Sequence, residues 1–213
     1  MRPSSVQKRD AVLRAAEEQF LATGYESVTM DSIAKGSGVA KQTLYSHFGS
    51  KRALFLELVT ASTSAARVAA LAAAPTPETT GDPRDLLRER LVAQLGQVLR
   101  PRVLALRRLV IGELPRSPEL AAALHENGPR RAIAALADEL RRLDAAGVLA
   151  VPDPVSAATQ LNWLVMGEPV NRAMLLGDEA ILTPKEIEEH VAEAVAVFFR
   201  AFAPGPGGAG AQR

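Results

Sequence analysis

Residues 29–48 read Thr29-Met30-Asp31-Ser32-Ile33-Ala34-Lys35-Gly36-Ser37-Gly38-Val39-Ala40-Lys41-Gln42-Thr43-Leu44-Tyr45-Ser46-His47-Phe48. Thr29 stands where a helix N-cap belongs, its hydroxyl oxygen placed to accept from an early backbone N–H. The short helix after it ends near Gly36-Ser37-Gly38, and another begins around Ala40. Two short helices across a glycine turn are what a helix-turn-helix requires. Ala34 is small where its helix crosses the preceding one. Gly38 supplies a turn in which a Cβ would be strained. Leu44 anchors the later helix in the core, with Ile33, Val39 and Phe48 around it; these residues pack and carry no functional role.

The flanks extend the pattern. Upstream, Val12, Ala16 and Phe20 fall at four-residue steps with Leu13 and Leu21 beside them, so one face of a first helix is apolar. Gly24 follows as its C-cap. Downstream, Ser50-Lys51-Arg52 opens another helix. Two cations at a helix N-terminus oppose the macrodipole, a local cost that makes sense if a phosphate sits there, held by free N–H groups and Lys51.

The side chains left over on the later helix of the pair are Lys41, Gln42, Thr43, Tyr45, Ser46 and His47. A surface helix without a task more often carries Glu–Lys pairs. Hydroxyl, amide and imidazole groups suit base edges and phosphate oxygens in a major groove. Tyr45 packing over the core and His47 capping locally are the plainer alternatives.

Composition bounds the rest. The 213 residues suffice for one large domain or two small ones. Alanine (38) and leucine (27) dominate, both strong helix formers, and no alternating β-branched stretch marks a strand. The expected fold class is all-α. The absence of cysteine excludes disulfides, thiolate metal sites and a cysteine nucleophile. No apolar run is long enough to cross a bilayer and no secretory h-region follows Met1, so a cytoplasmic location is expected. The formal charge is only +1, but residues 1–52 hold eight Lys/Arg against five Asp/Glu, making the N-terminal quarter the basic part.

Prolines divide the remainder. They delimit helices expected near 84–100, 102–114, 118–127, 130–146, 153–167 (the last with an extension past Pro169 left open) and 185–202. Residues 74–83 read as a long loop and 204–213 as a disordered Gly/Pro tail. In the last helix Ile187, Val191, Ala194, Val195, Phe198 and Phe202 form one apolar stripe. Such a stripe serves either the chain's own core or pairing with a second copy.

The run Thr29–Phe48, with Ser50-Lys51 and Ala53-Leu54-Phe55 after it and Ala15-Ala16, Phe20 and Gly24-Tyr25 before it, resembles the N-terminal domain of the tetracycline-repressor (TetR) family. The resemblance covers about a quarter of the chain. It implies a homodimer with N-terminal helix-turn-helix DNA-binding domains (residues 1–52) and a C-terminal helical effector-binding and dimerisation domain (53–203), joined through a linking helix at 51–73. By position it makes Thr29 a phosphate-contacting cap, sets Gln42 and Thr43 at base edges or adjacent phosphates, and has Tyr45 and His47 hold the backbone and Lys51 pin a phosphate. Many members carry glycine where Gln42 stands. Glutamine bonds adenine bidentately, which makes Gln42 the leading base-reading residue. Lys8 and Arg9 either reach a neighbouring groove or belong to a solvated terminus.

Arg107–Leu120 and Gly167–Ala173 resemble the AefR-like subset of C-terminal domains. Leu104, Arg108, Asn162, Trp163 and Met166 are the candidates for a largely apolar effector pocket, with ordinary core as the alternative. The family implies dimerisation through the last two helices, so Ile187, Val191, Val195 and Phe198 are the candidate interface. The implied partners are double-stranded operator DNA, a second copy of the chain and a small molecule, with no membrane and no cofactor.

Rival classes find little support. The chain contains no G-x-S-x-G, no G-x-x-x-x-G-K-[ST] and no H-E-x-x-H. Glu186 and His190 share a helix face, but one carboxylate–imidazole pair is a weak metal signal. A helical adaptor with a purely structural helix-turn-helix would not need the polar set at 41–47.

Overall fold

The computed structural model describes residues 5–72 and 81–204, and of residues 63–72 the backbone alone. The expected loop at 74–83 and the tail at 204–213 lie almost wholly outside the described residues. Among the described residues there is no strand. Four helices come first: α1 (Ser5–Thr23), α2 (Met30–Ser37), α3 (Lys41–Phe48) and α4 (Lys51–Ala72). Six follow: α5 (Pro83–Val98), α6 (Pro101–Gly112), α7 (Pro118–His125), α8 (Arg131–Ala145), α9 (Pro154–Leu176) and α10 (Pro184–Ala201). Pro83, Pro101, Pro118, Pro154 and Pro184 each open a helix, where the missing N–H costs nothing. Asp82, Asp153 and Thr183 cap α5, α9 and α10 by accepting from N–H groups of the first turn.

Two prolines lie inside helical structure. Pro129 sits in the π-helical turn Glu126–Arg130 that joins α7 to α8. Pro169 sits within α9, which runs on to Leu176, the extension past Pro169 that the sequence left open. A proline there withholds the N–H that the carbonyl of Val165, four residues earlier, would have accepted. That carbonyl accepts instead from His190 Nε2 on α10, at 2.9 Å. An imidazole from the neighbouring helix thus replaces the missing donor, which lets α9 pass through Pro169. His190→Ala should cost about 1–2 kcal/mol in the native chain and at least ~1 kcal/mol less in a Pro169→Ala background, where residue 169 supplies its own N–H. Urea unfolding of the four proteins measures this; equal costs in both backgrounds would refute the compensation.

The contacts divide the chain into two compact units. The first takes the residues up to Ser64 together with Ala105–Asn127, and the second takes Ala65–Leu104 and Gly128 onward. The segment 105–127, which the sequence grouped with the effector half, thus packs with the helix-turn-helix. Leu106, Val110 and Leu120 join Phe20, Ile33, Leu44, Leu54 and Phe55 in its core. Proline-delimited helices carry no label saying which core they enter, so this regrouping was invisible in one dimension.

The second unit is built on Leu87, Leu91 and Leu95 of α5, Leu136 and Leu140 of α8, Leu161 and Val165 of α9, and the stripe on α10. Ile187, Val191, Val195 and Phe198 all lie buried in that core. They cannot also face a second copy, so the candidate dimer interface read from them is corrected. The stripe satisfies itself against α5 and α9 of its own chain. Within this core Arg90 of α5 and Glu139 of α8 form a buried ion pair. Burial, with Arg142 as a further cause, holds the Arg90 guanidinium below its ordinary pKa.

Candidate nucleic-acid interface

The geometry of the first unit follows from its caps and turns. Phe20 accepts the N–H of Gly24 at the end of α1, with Gly24 at φ 81°. Thr29 and Ser32 form a reciprocal capping box at the start of α2: Ser32 N–H donates to Thr29 Oγ1 at 3.1 Å, and Thr29 N–H to Ser32 Oγ at 3.2 Å. Gly38 closes α2 at φ 67°, the left-handed turn the sequence required. Gln19 on α1 adds a tie that the sequence did not suggest. Its Nε2 donates to the Ser32 carbonyl at 3.1 Å and lies 2.6 Å from where a Cβ on Gly36 would stand. The closest approach of the two helices is therefore at Gly36 as well as at Ala34.

Leu44 and Phe48 are buried and fix the inner face of α3. Gln42, Tyr45, Ser46 and His47 are exposed on the remainder, and Thr43 is half-buried. The candidate residues differ in what already occupies them. Among the described residues no hydrogen bond holds the side chain of Gln42 or His47. Ser46 Oγ donates back to the Thr43 carbonyl at 2.9 Å. Lys41 grips both carboxylate oxygens of Asp31, at 2.7 and 2.8 Å, and its hydrogen bond to that carboxylate raises the lysine pKa. Arg9 pairs with Glu57 on α4.

Lys51 departs most from the expectation. Its Nζ donates to the carbonyls of Tyr25, Glu26 and Val28, at 3.0, 3.2 and 3.0 Å, and lies 4.4 Å from the centre of the Tyr25 ring. An ammonium has three donors, and all three are spent on the loop between α1 and α2. In the single chain Lys51 thus ties that loop to the start of α4. The N-terminus of α4 is capped by Ser50, whose Oγ accepts from Ala53 N–H at 3.1 Å. Lys51→Met should lower stability by about 2–3 kcal/mol, because the partly buried carbonyls lose a charged donor. The salt dependence of DNA binding should keep its slope, whereas loss of a phosphate contact would reduce it by ~1.

Beside Lys51 the rings of Phe20, Tyr25 and Phe55 pack together, with centroids 4.9 to 5.5 Å apart. Tyr25 was legible only as part of the resemblance; an aromatic directly after a helix-ending glycine in a small core is the signal that marks it.

The candidate effector residues do not form one group. Leu104, Asn162 and Met166 are buried in the second unit. Arg108 belongs to the first. Trp163 is 65% exposed, so it is no part of a closed pocket in the single chain. Glu186 does not approach a metal-binding arrangement with His190: its carboxylate caps Thr183, whose N–H and hydroxyl donate at 2.7 and 2.8 Å, and those bonds lower its pKa.

Comparison with known proteins fits this geometry. Residues 12–58 match the family model described as bacterial regulatory proteins, tetR family, and residues 85–204 match the C-terminal domain of AefR-like transcriptional repressors. The structure resembles that of a TetR-family transcriptional regulator from Mesorhizobium loti MAFF303099, with TM-score 0.82 and 28% identity over 95% of this chain and 100% of that one. It also resembles the flavonoid-responsive regulator FrrA, with TM-score 0.78 and 34% identity over 94% of this chain and 99% of that one. Against the HTH-type transcriptional activator FasR of Mycolicibacterium smegmatis the identity is 43% over 53 residues, 25% of this chain and 24% of FasR. The matches to such curated relatives span about a quarter of those proteins' length. With both of its parts matched in order, the chain belongs to the TetR family: it is a DNA-binding transcriptional regulator and not an enzyme.

Proposed function

We propose that the protein is a ligand-responsive repressor that binds a palindromic operator as a homodimer. The observation that carries this is the exposed polar face of α3, anchored from behind by Leu44 and Phe48. A rigid helix with exposed amide, phenol and imidazole groups suits major-groove reading. Gln42 reads a base edge, Thr29 and Thr43 meet adjacent phosphates, and Tyr45 and His47 hold the backbone. Lys41 and Ser46 join them once DNA competes for Asp31 and the Thr43 carbonyl.

Dimerisation uses the outer faces of the last two helices. Among the described residues, six of the eleven exposed large apolar side chains lie there: Val155, Trp163, Leu164, Leu175 and Leu176 on α9, and Val197 on α10. Trp163 Cε3 lies 3.7 Å from a Cβ position on Gly167, one turn on. Apolar exposure concentrated on one pair of helices suits an interface. Two-fold symmetry then presents two α3 helices to two half-sites.

The effector is a small, largely apolar molecule bound in the C-terminal unit, where Asn162 and Gln94 are the buried uncharged amides. The name of FrrA, a relative over nearly its whole length, supports responsiveness to a small molecule. The ligand must favour a dimer whose α3 helices no longer match the half-sites; equal affinity for both states would change nothing. α4, which contributes to both units, is the natural lever.

The test is binding to the promoter fragment beside the protein's own coding region, across a salt series, with random duplex as competitor. Specific, salt-sensitive binding and a footprint of two half-sites are expected. Binding equal to random DNA at every promoter and in genomic selection would refute the reading. Gln42→Ala should weaken operator binding by about 1–3 kcal/mol and relax preference at one position per half-site, leaving the salt slope unchanged. Undiminished affinity and preference would exclude it as the base reader.

A further inference from the structure

Lys41 opens α3, and Asp31 lies in the first turn of α2, ten residues earlier. The ammonium meets both carboxylate oxygens, at 2.7 and 2.8 Å, and lies 5.9 Å from the centre of the Tyr45 ring, one turn along α3. Asp31 thus brings a negative charge to the start of the two helices proposed to meet DNA. A carboxylate there repels phosphate, and its presence needs a reason. Stability supplies little of one. Both side chains are more than half exposed, and an ion pair in water adds little to a fold.

The pair belongs to a wider pattern. Within the first unit Arg9 pairs with Glu57, Arg52 pairs with Glu119, and Lys51 is engaged by three carbonyls. Much of the basic charge of residues 1–52 is therefore held within the chain. Binding to random duplex comes almost wholly from cations that neutralise phosphates and release counter-ions, whereas operator binding adds base contacts. Masked cations weaken the first kind of binding and leave the base contacts of the second intact. Lys41 differs from Lys51 in how readily it is released. To reach DNA, Lys51 gives up three carbonyls, while Lys41 has only to exchange one exposed carboxylate for a phosphate.

We propose that Asp31 is a specificity-determining residue, which holds Lys41 away from phosphate until α3 is seated in its operator. On random duplex no base contacts draw α3 into the groove, and the ammonium stays on Asp31. On the operator, base contacts from α3 bring the start of the helix against the backbone, and a phosphate takes the ammonium over. The charge of Lys41 then counts for more in the specific complex than in the non-specific one. The inference rests on the reading of α3 as the helix that meets DNA.

Titration of the full chain against the footprinted operator fragment and a random duplex of equal length, across a salt series, tests it. The proteins are the wild type, Asp31→Asn, Lys41→Met and the double variant, each checked for folding by a thermal melt. On random duplex Asp31→Asn should tighten binding by about threefold or more at ~0.1 M salt and steepen the salt slope by about 0.9, as one more phosphate contact does. On the operator, where Lys41 is already released, the gain should be smaller, so the preference for operator falls. Lys41→Met should weaken operator binding more than random-duplex binding, and in the double variant it should abolish the gain from Asp31→Asn. A gain that survives Lys41→Met would mean that Asp31 merely repels phosphate, and would overturn the inference. Equal gains on both duplexes, or none on random duplex, would overturn it too. A wild-type chain that prefers no duplex would overturn the reading of α3 itself and the inference with it; a preference combined with any of the other failures overturns the inference alone.

Discussion

Trp163→Arg should leave the chain folded and turn a dimer into monomers. The indole is 65% exposed in the single chain and belongs to neither hydrophobic core, so the substitution removes nothing from the core. In an interface related by a two-fold axis the change enters twice, and two guanidinium groups replace two indoles on the same patch. Like charges facing each other across an interface cost several kcal/mol, enough to lower dimer affinity by about a thousandfold. Operator affinity should fall by ~100-fold or more, because each half-site must then recruit its own monomer. Sedimentation and operator titration measure the two effects. Val195→Arg is the contrasting variant: its side chain lies in the core of the second unit, so a charge there should prevent folding rather than dissociate a folded chain. A Trp163→Arg protein that remains a dimer would remove the α9 face from the proposed interface.

Glu139→Ala should destabilise the protein by about 3–5 kcal/mol, since it strands the Arg90 guanidinium in the core without its counter-ion. Both side chains are nearly enclosed, at 6% and 10% exposure. Burial already holds Arg90 below its ordinary pKa, with Arg142 adding to the effect, so its charge has little compensation besides Glu139. The paired replacement Arg90→Met with Glu139→Met should be close to neutral or stabilising, because it removes both desolvation costs at once. Urea unfolding distinguishes the cases. A loss below about 1 kcal/mol for Glu139→Ala would mean that Arg90 finds water or another acceptor, contrary to its enclosure.

These two predictions mark where the sequence read well and where it did not. The helix-turn-helix was legible because each of its features is local. Thr29 caps three residues ahead, Gly38 turns one residue, and Leu44 and Phe48 lie on one face of a single short helix. The prolines placed the helix starts for the same reason, since a missing N–H is tolerated in the first turn. The sequence was silent where a group's partner is distant along the chain. Lys51 looked available for phosphate because the three carbonyls it serves lie 23 to 26 residues earlier. Whether α9 continued past Pro169 stayed open in the sequence because the donor that mends it, His190, belongs to another helix.

The apolar stripe on α10 makes the same point about faces. Its period showed that one side of the helix is buried, and periodicity carries no more than that. Packing against α5 and α9 used the stripe inside the chain and left Trp163, Leu175 and Val197 as apolar surface. The sequence by itself determined the helical class, the helix-turn-helix and the exposed chemistry of α3, because these depend on caps, turns and steps of three or four residues. Tertiary structure alone decided which core took α6 and α7, what covers the apolar face of α10 and what occupies Lys51 in the single chain. Each of those outcomes depends on groups far apart along the chain competing for the same volume or the same proton donor, and no local pattern records who wins.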